Sequence, residues 1–120
     1  MVDQRFPKSC RLLDSKAFEH VFGKPDFRVS NKYFLIIGCW TEQEHPRLGI
    51  IVAKKNIARA TQRNRVKRIV REAFRCRRAA LGSTDLVVLA RKDLQFLENN
   101  DSRSFIHALM DEIEKKKPSA

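Results

Sequence analysis

The chain has 120 residues, enough for one domain with a single modest core and too few for two. Its formal net charge is +11 and its pI is about 10.1, so we expect an anionic partner, either nucleic acid or a membrane surface. Cys10, Cys39 and Cys76 are widely spaced and form no C-x-x-C pair, which argues against a disulfide framework or a zinc site and is typical of a reducing cytosol. No apolar run reaches about 18 residues and the start lacks the apolar core of a signal peptide, so we expect a cytoplasmic protein without a transmembrane helix.

The first part of the chain predicts an arm followed by one short helix. Residues 1–12 are expected to be extended, because the Phe-Pro pair within them disfavours helix. Asp14 is a good N-cap, so a helix should run from about Ser15 to Phe22 and end at Gly23.

Two phenylalanines of this helix, Phe18 and Phe22, lie four residues apart and therefore share one face. They could simply pack into the core. Alternatively, one or both line a groove in which nucleic-acid bases stack.

Apolar runs farther along the chain predict a small sheet. Tyr33–Trp40 and Leu48–Ala53 read as strands, and the short polar connection between them favours an antiparallel hairpin. Asp26–Ser30 is a short extended piece at most. Leu86–Ala90 is a further buried strand, expected to run parallel to Leu48–Ala53 because a long helical segment joins the two.

That joining segment, Lys54–Arg78, holds most of the charge of the chain. Eleven of its 25 residues are Lys or Arg and one is acidic, so it carries +10 of the total +11. From about Ala60 to between Ala80 and Gly82 it has helical period. The predicted buried stripe is Val66, Ile69, Val70, Ala73 and Phe74, and the opposite side carries Asn64, Lys67, Arg68, Arg71, Arg75 and Arg78.

A row of cations on a helix can be a solvated surface or a contact for a polyanion. Here the row is dense, rich in Arg and almost without compensating Glu, which favours nucleic-acid contact.

A last helix is predicted near the end of the chain, capped by Asp101 or Ser102. Its apolar face is Phe105, Ile106, Leu109, Met110 and Ile113, and Pro118 stops it. Residues 115–120 are expected to be a frayed tail. The whole order predicts one domain, 1–120, of the α+β class: a split β-α-β sandwich with a small mixed sheet.

No catalytic or metal-binding constellation stands out. His20, His45 and His107 are isolated, without metal-ligand spacing. The carboxylates do not pair in a way that suggests a two-metal nuclease, and there is no phosphate-binding glycine loop. The protein taken alone is therefore expected to bind rather than to catalyse.

Four stretches in order resemble one known family. Arg63–Arg68 (RNRVKR) with the following Ile69–Arg75 resembles the RNR signature of the bacterial ribonuclease P protein subunit. Gly49–Lys55 and Asp85–Lys92 resemble its strand before the basic segment and its later strand. Arg11-Leu12 followed by Phe18-x-x-Val21-Phe22 resembles its first helix. The resemblance extends from about Phe6 to Ser104.

The resemblance implies a fold and a function. The fold would be a single RNA-binding domain over residues 1–120, an α/β sandwich of ferredoxin-like character with a left-handed β-α-β crossover, against the usual handedness. The protein would be a subunit of the ribonuclease P ribonucleoprotein, in which a catalytic RNA removes the 5′ leader of precursor tRNA with Mg²⁺ held mainly by the RNA. The protein would bind the leader and strengthen substrate and Mg²⁺ binding, would be inactive alone, and would use no organic cofactor.

The resemblance also assigns residues. The contacts to the catalytic RNA would be Arg63, Asn64, Arg65, Lys67, Arg68 and Arg71. The leader cleft would be formed by Phe18, Phe22, Phe34, Ile37, Lys54, Lys55, Arg91 and Lys92. The alternatives are a structural RNA-binding protein of ribosomal type, a metal nuclease acting alone, and a membrane-surface helix, which the narrow apolar stripe without Trp disfavours.

Overall fold

The structure is a computed structural model that describes residues 15–42 and 45–117. In chain order its elements are α1 (Ser15–Gly23), β1 (Phe27–Ser30), β2 (Phe34–Trp40), β3 (Arg47–Ile51), α2 (Ala60–Leu81), β4 (Thr84–Ala90), a 3-10 helix (Lys92–Phe96) and α3 (Asn99–Lys116). The predicted α+β class with a small mixed sheet is confirmed. The expected arm at 1–12 and the expected N-cap at Asp14 lie outside the described residues.

The four strands are arranged in the order β1-β2-β4-β3. β4 is antiparallel to β2 and parallel to β3, so the predicted parallel pair is confirmed. The predicted hairpin between β2 and β3 is wrong: the two strands are antiparallel but not adjacent, because β4 lies between them. The reason is burial. Leu86, Val87 and Val88 are all fully buried, so β4 has apolar side chains for both faces and takes a central place in the sheet.

β1, expected to be at most a short extended piece, pairs antiparallel with β2. The turn between them is fixed by Asn31, whose Oδ1 accepts hydrogen bonds from the backbone N–H groups of Tyr33 and Phe34, both at 2.8 Å. An Asn side chain that bonds its own backbone two residues on is a common way to specify a turn.

The two faces of the sheet are covered differently. Along β2, Phe34 and Ile36 point to the main core under α2 and α3, while Ile37 and Cys39 belong to a smaller cluster with Val21 of α1. This division follows from the alternation of side chains along a strand. Among the described residues, α1 packs on this second face, where Leu35, Ile51 and Leu89 are only partly buried.

The basic helix α2 has the predicted bounds and the predicted buried stripe, since all five apolar residues of that stripe are buried. It begins after Arg59 without a side-chain cap and ends at Gly82, whose φ of +68° is a conformation that glycine adopts without strain. The helix therefore docks by one face, with buried residues from Val66 to Leu81.

α3 begins at Asn99, earlier than predicted, and Ser102 does not cap it. The Ser102 side chain is buried, and its Oγ donates to the carbonyl of Glu98 at 3.1 Å. The helix continues to Lys116, and Lys117 Nζ donates to the carbonyl of Ala80 at 3.3 Å. This contact links the end of α3 to the end of α2; the expected fraying of the tail stays a prediction, and residues 118–120 lie outside the described residues.

Replacing Gly38 with Ala should destabilise the sheet by about 1–3 kcal/mol. A Cβ at this position would lie 2.3 Å from Cζ of Phe27 and 2.7 Å from the backbone oxygen of Asp85, so strands on both sides would have to move. Urea denaturation measures the loss. Gly23→Ala is the matched control, because a Cβ at Gly23 meets nothing within 4 Å. Equal urea midpoints for the two variants would contradict the prediction.

Candidate nucleic-acid interface

The outward face of α2 carries a ridge of cations for which the described residues provide no hydrogen bond or ion pair. Arg65, Arg68 and Arg71 are exposed at spacings of three residues, which makes them neighbours on the helix surface. Asn64 is exposed beside them and Lys67 is half-buried. Within residues 15–42 and 45–117, none of the five side chains forms a hydrogen bond or ion pair with the protein. Their charge and donors are available to a ligand.

The side of α2 that faces α3 is different, because its charges are paired. Arg77 Nε donates to Nδ1 of His107 at 2.8 Å, and its NH1 contacts the carboxylates of Asp111 and Glu114. Arg103 of α3 approaches Glu72 at 3.8 Å. The basic helix is thus neutralised where it packs and left charged where it faces outward.

The pKa shifts follow this pairing. Burial lowers the pKa of His107, and the charge of Arg77 lowers it further, which keeps the imidazole neutral and its Nδ1 free to accept a hydrogen bond. Burial alone would lower the pKa of Arg77, but the hydrogen bond and charge of Asp111, together with Glu114, raise it. The two helices are therefore joined by a fixed polar clamp, distinct from the outward ridge.

Arg63, the first residue of the RNR signature, has a structural contact of its own. Its NH1 donates to the carbonyls of Ile57 and Ala58 at 3.0 and 2.6 Å. These bonds hold the loop that enters α2 and satisfy carbonyls that precede the helix. Contact between Arg63 and RNA stays a prediction.

Three residues predicted for the aromatic cleft, Phe18, Phe22 and Ile37, lie in α1 or in the smaller cluster on which it packs. Phe18 is half-buried and packs against the smaller cluster that includes Ile37, which is 6% exposed. Phe22 is 46% exposed. Phe34, by contrast, is fully buried in the main core on the opposite face of the sheet. Its placement in the cleft is therefore wrong, because residues 34 and 37 of one strand point to opposite faces.

Four predicted cations meet at one end of the sheet. β3 and β4 are parallel, so their carboxyl ends lie together, with Lys54 and Lys55 following β3 and Arg91 and Lys92 following β4. All four side chains are exposed, and Arg91 NH1 also donates to the carbonyl of Asn31 at 3.2 Å. The two loops are tied directly, since Asn56, three residues after Ala53, donates through Nδ2 to the carbonyl of Ala90 at the end of β4 at 3.3 Å.

Sequence reasoning missed two parts of the surface. The floor of the cleft also includes the partly buried Leu35, Ile51 and Leu89, which have the same strand phase as Ile37 and could have been found from it. Phe96, in the 3-10 helix, is 77% exposed. It stands in a short turn between predicted elements, where no periodic pattern marks it.

Asp85, a conspicuous carboxylate in the sequence, is used inside the fold. It is 4% exposed and accepts two hydrogen bonds from Arg47, at 2.8 and 2.7 Å. Among the residues that the structure describes, no group of three or more His, Cys, Asp or Glu side chains could hold a metal ion.

Comparison with known proteins decides the family. The family model described as Ribonuclease P matches residues 6–114. The chain belongs to the ribonuclease P protein family. The ribonuclease P protein component of Chromohalobacter salexigens is 38% identical over 115 residues, covering 96% of this chain and 90% of the relative. That of Photorhabdus laumondii is 46% identical over 99 residues, covering 82% of each chain.

Solved ribonuclease P proteins have the same fold. The Staphylococcus aureus protein matches with a TM-score of 0.80 and 28% identity, covering 87% of this chain and 94% of that one. The Thermotoga maritima protein matches with a TM-score of 0.71 and 28% identity, covering 91% and 98%. Ribonuclease P is an endoribonuclease of tRNA processing, so the chain is a subunit of that enzyme. Within the described part of the chain, no helix is long and apolar enough to cross a membrane.

Proposed function

We propose that this ribonuclease P subunit binds the catalytic RNA along the outward face of α2 and the 5′ leader of precursor tRNA in the cleft beside α1. The observation that carries the proposal is the ridge of Arg65, Arg68 and Arg71, exposed and unpaired within the described residues while cations on the packed side of the same helix are neutralised. A helix that needed only solubility would not keep its two sides so different.

The ridge suits the phosphates of a folded RNA. Arg presents a planar fork of donors that matches phosphate geometry, and each phosphate it neutralises releases a bound counterion. With 22 residues, α2 is about 33 Å long at ~1.5 Å per residue, so it can follow several successive phosphates. The donors of Asn64 and Lys67 lie within the same stretch.

The cleft suits a flexible single strand. The exposed ring of Phe22 offers a stacking surface, and the apolar floor around Ile37 gives bases a surface on which to lie. Lys54, Lys55 and Lys92 stand at one end, where they can neutralise the strand's phosphates. Base stacking combined with neutralisation of the strand's phosphates tolerates many base sequences. A subunit that acts on many tRNA precursors requires this tolerance.

The hydrolysis itself is assigned to the RNA, with Mg²⁺ held mainly by RNA oxygens and no organic cofactor. The protein's contribution is electrostatic: cations on α2 and beside the cleft lower the repulsion between the phosphates of enzyme and substrate, so fewer Mg²⁺ ions are needed to bring them together. The subunit would act in the cytoplasm.

A reconstitution tests the proposal. Purified protein is mixed with a bacterial ribonuclease P RNA and precursor tRNA at moderate salt and low Mg²⁺, and cleavage at the 5′ end is followed. Cleavage that requires both partners supports the proposal, and tight RNA binding without any cleavage would instead favour a structural RNA-binding role.

The protein alone forms a separate arm of this experiment, with an mRNA fragment as a second substrate. One solved mutant of the Staphylococcus aureus protein is described as defective in mRNA degradation, which makes that substrate the appropriate one. Cleavage of either RNA by the isolated protein would overturn the assignment of the chemistry to the RNA partner.

Replacing Phe22 with Ala should weaken binding of leader-bearing precursor tRNA by about 1–3 kcal/mol, the range for one base stacked on an aromatic ring. Binding of tRNA without a leader should not change, and neither should the melting temperature, because Phe22 is half-exposed. Phe105→Ala is the control, since Phe105 is also partly exposed but packs on Tyr33 at a centroid distance of 4.6 Å, away from α1. An equal loss of affinity for tRNA with and without the leader would contradict the assignment of Phe22 to a leader-binding cleft.

A further inference from the structure

A pocket lies beside the last turns of α2, beyond the ridge. Its volume is about 490 Å³, within the size range of sites for small molecules. Arg75 and Arg78 line it from α2, and His45 lines it from the connection between β2 and β3. The pocket therefore brings two guanidinium groups and an imidazole to one concave surface.

The two arginines of this pocket are unpaired. Within residues 15–42 and 45–117, the side chains of Arg75 and Arg78 form no hydrogen bond or ion pair, whereas Arg77 between them contacts the carboxylates of Asp111 and Glu114. None of the residues that line the pocket is acidic. Two uncompensated positive charges at one cavity favour an anionic occupant.

Acidic groups in the same part of the fold do not remove this charge. Asp85 is 4% exposed and accepts two hydrogen bonds from Arg47. Glu72, one turn before the pocket on α2, approaches Arg103 of α3 at 3.8 Å. Glu42 is exposed and does not line the pocket.

The carbonyl groups at the end of α2 are also occupied. The carboxyl end of a helix carries partial negative charge and would repel an anion. Here the carbonyl of Arg78 accepts a hydrogen bond from the N–H of Gly82 at 3.2 Å, and the carbonyl of Ala80 accepts one from Lys117 Nζ at 3.3 Å. These bonds reduce the repulsion that an anion would meet there.

His45 adds a hydrogen-bond donor. Its Nδ1 is buried and has no partner among the described residues. An unpaired donor in the interior is rarer than an unpaired acceptor, so we assign the proton of the neutral ring to Nε2. The imidazole can then donate from Nε2 to an oxygen of a ligand in the pocket that it lines.

We propose that this pocket binds one phosphate group of the catalytic RNA together with its attached sugar. Arg75 and Arg78 share the phosphate, and Nε2 of His45 donates to one of its oxygens. The inference rests on the proposed function, in which α2 binds that RNA. Arginines continue from Arg71 of the ridge to Arg75 and Arg78 at spacings of four and three residues, so an RNA backbone on the ridge can reach the pocket.

Salt dependence distinguishes one shared phosphate from two separate contacts. Arg75→Gln or Arg78→Gln alone should weaken binding of the ribonuclease P RNA roughly tenfold. The double variant should lose less than the product of the two single losses, because both arginines hold the same phosphate. Its slope of log K against log salt should be shallower by about 1, the loss of one phosphate contact.

Two results for the double variant would overturn the shared site. One is a pair of single losses that multiply, with a slope shallower by about 2. The other is wild-type affinity and slope. Arg103→Gln with Lys116→Gln, both on α3, is the control of equal net charge and should keep the wild-type slope.

The imidazole is tested by two substitutions. His45→Leu should weaken RNA binding roughly tenfold, because it removes a donor to a charged group. His45→Gln keeps an N–H donor and should lose less. Wild-type affinity of the Leu variant would overturn the part of His45 in the site.

Cys76 reports occupancy directly, because it is exposed and lines the pocket. In a Cys10→Ser background Cys39 is 2% exposed, so N-ethylmaleimide should alkylate Cys76. The ribonuclease P RNA should protect this thiol. At saturating RNA, the protein with Arg75→Gln and Arg78→Gln should lose the protection, whereas one with substitutions in the ridge should keep it.

Inorganic phosphate and adenosine monophosphate form separate arms of the alkylation experiment. Protection by either small anion, with none by the RNA, would make a free anion the occupant and overturn the assignment to RNA. A complex that cleaves precursor tRNA while Cys76 stays fully reactive would overturn the pocket and leave the proposed function intact. A wild-type mixture that neither binds the RNA nor cleaves would refute the proposed function itself.

Discussion

Replacing Arg65 and Arg68 together with Gln should weaken binding of the ribonuclease P RNA by roughly 150-fold or more, equivalent to about 3 kcal/mol. Both side chains are exposed on the outward ridge of α2 and lie three residues apart, so one stretch of RNA backbone can contact both. Each change removes a charge-assisted phosphate contact, whose contribution is about 1.5–3 kcal/mol.

The salt dependence is the more diagnostic readout. Each lost phosphate contact lowers the magnitude of the slope of log K against log salt by about 1, so the double variant should be shallower by about 2. Neither side chain forms a hydrogen bond or ion pair with another described residue, and both residues are exposed, so thermal stability should be close to that of the wild type. Fluorescence anisotropy with labelled RNA across a salt series measures affinity and slope together.

A control with the same net charge separates local contact from general attraction. Arg103→Gln with Lys116→Gln also lowers the charge of the chain by two, but both residues are on α3, where Arg103 approaches Glu72. This control should lose little affinity. If the two double variants lose affinity and slope equally, the RNA responds to the net charge of the protein and the ridge is not its contact.

The helices were predictable from the sequence because helical period is a local signal. The stripe from Val66 to Phe74 recurs at intervals of three and four, so the sequence specifies both the buried side of α2 and the charged side. The pairing of those charges was not predictable. Whether Arg77 or Arg68 is neutralised depends on where α3 packs, and that is a tertiary contact.

The sheet shows where local pattern is insufficient. The short link between β2 and β3 favoured a hairpin. Six linking residues are also enough to cross over a strand placed between β2 and β3, because each residue spans up to ~3.3 Å and neighbouring strands are ~4.8 Å apart. What decides the order is burial on both faces, and Leu86–Val88 is apolar in both phases. The buried Asp85 fits this position only because Arg47, its partner in the β3–β4 register, forms two hydrogen bonds with it.

The composition of the cleft was predictable in part. Strand alternation places Ile37 and Phe34 on opposite faces, so both could not line one surface, and the period of two also indicates Leu35 for the floor. Family resemblance pointed to the start of this strand but did not specify which of its side chains face the cleft. Phe96 lies in a five-residue 3-10 helix, too short for any period to identify.

Phe34→Ala should therefore act on stability and not on leader binding. Phe34 is fully buried between β2 and the helices of the main core, and truncation of a buried Phe to Ala costs about 3–5 kcal/mol. Urea denaturation should show a large fall in midpoint. Because domains are often stable by only about 5–15 kcal/mol, Phe34→Leu is a milder companion that keeps most of the apolar volume and should remain folded.

The comparison with Phe22→Ala makes the test decisive. Phe22 is half-exposed, so its loss should weaken binding of leader-bearing substrate with little change in the urea midpoint. Phe34→Leu should lower the midpoint while the folded protein still distinguishes substrates with and without a leader as the wild type does. A Phe34→Leu protein with wild-type stability and lost leader discrimination would contradict the burial of this ring, and with it the phase of β2 on which the floor of the cleft depends.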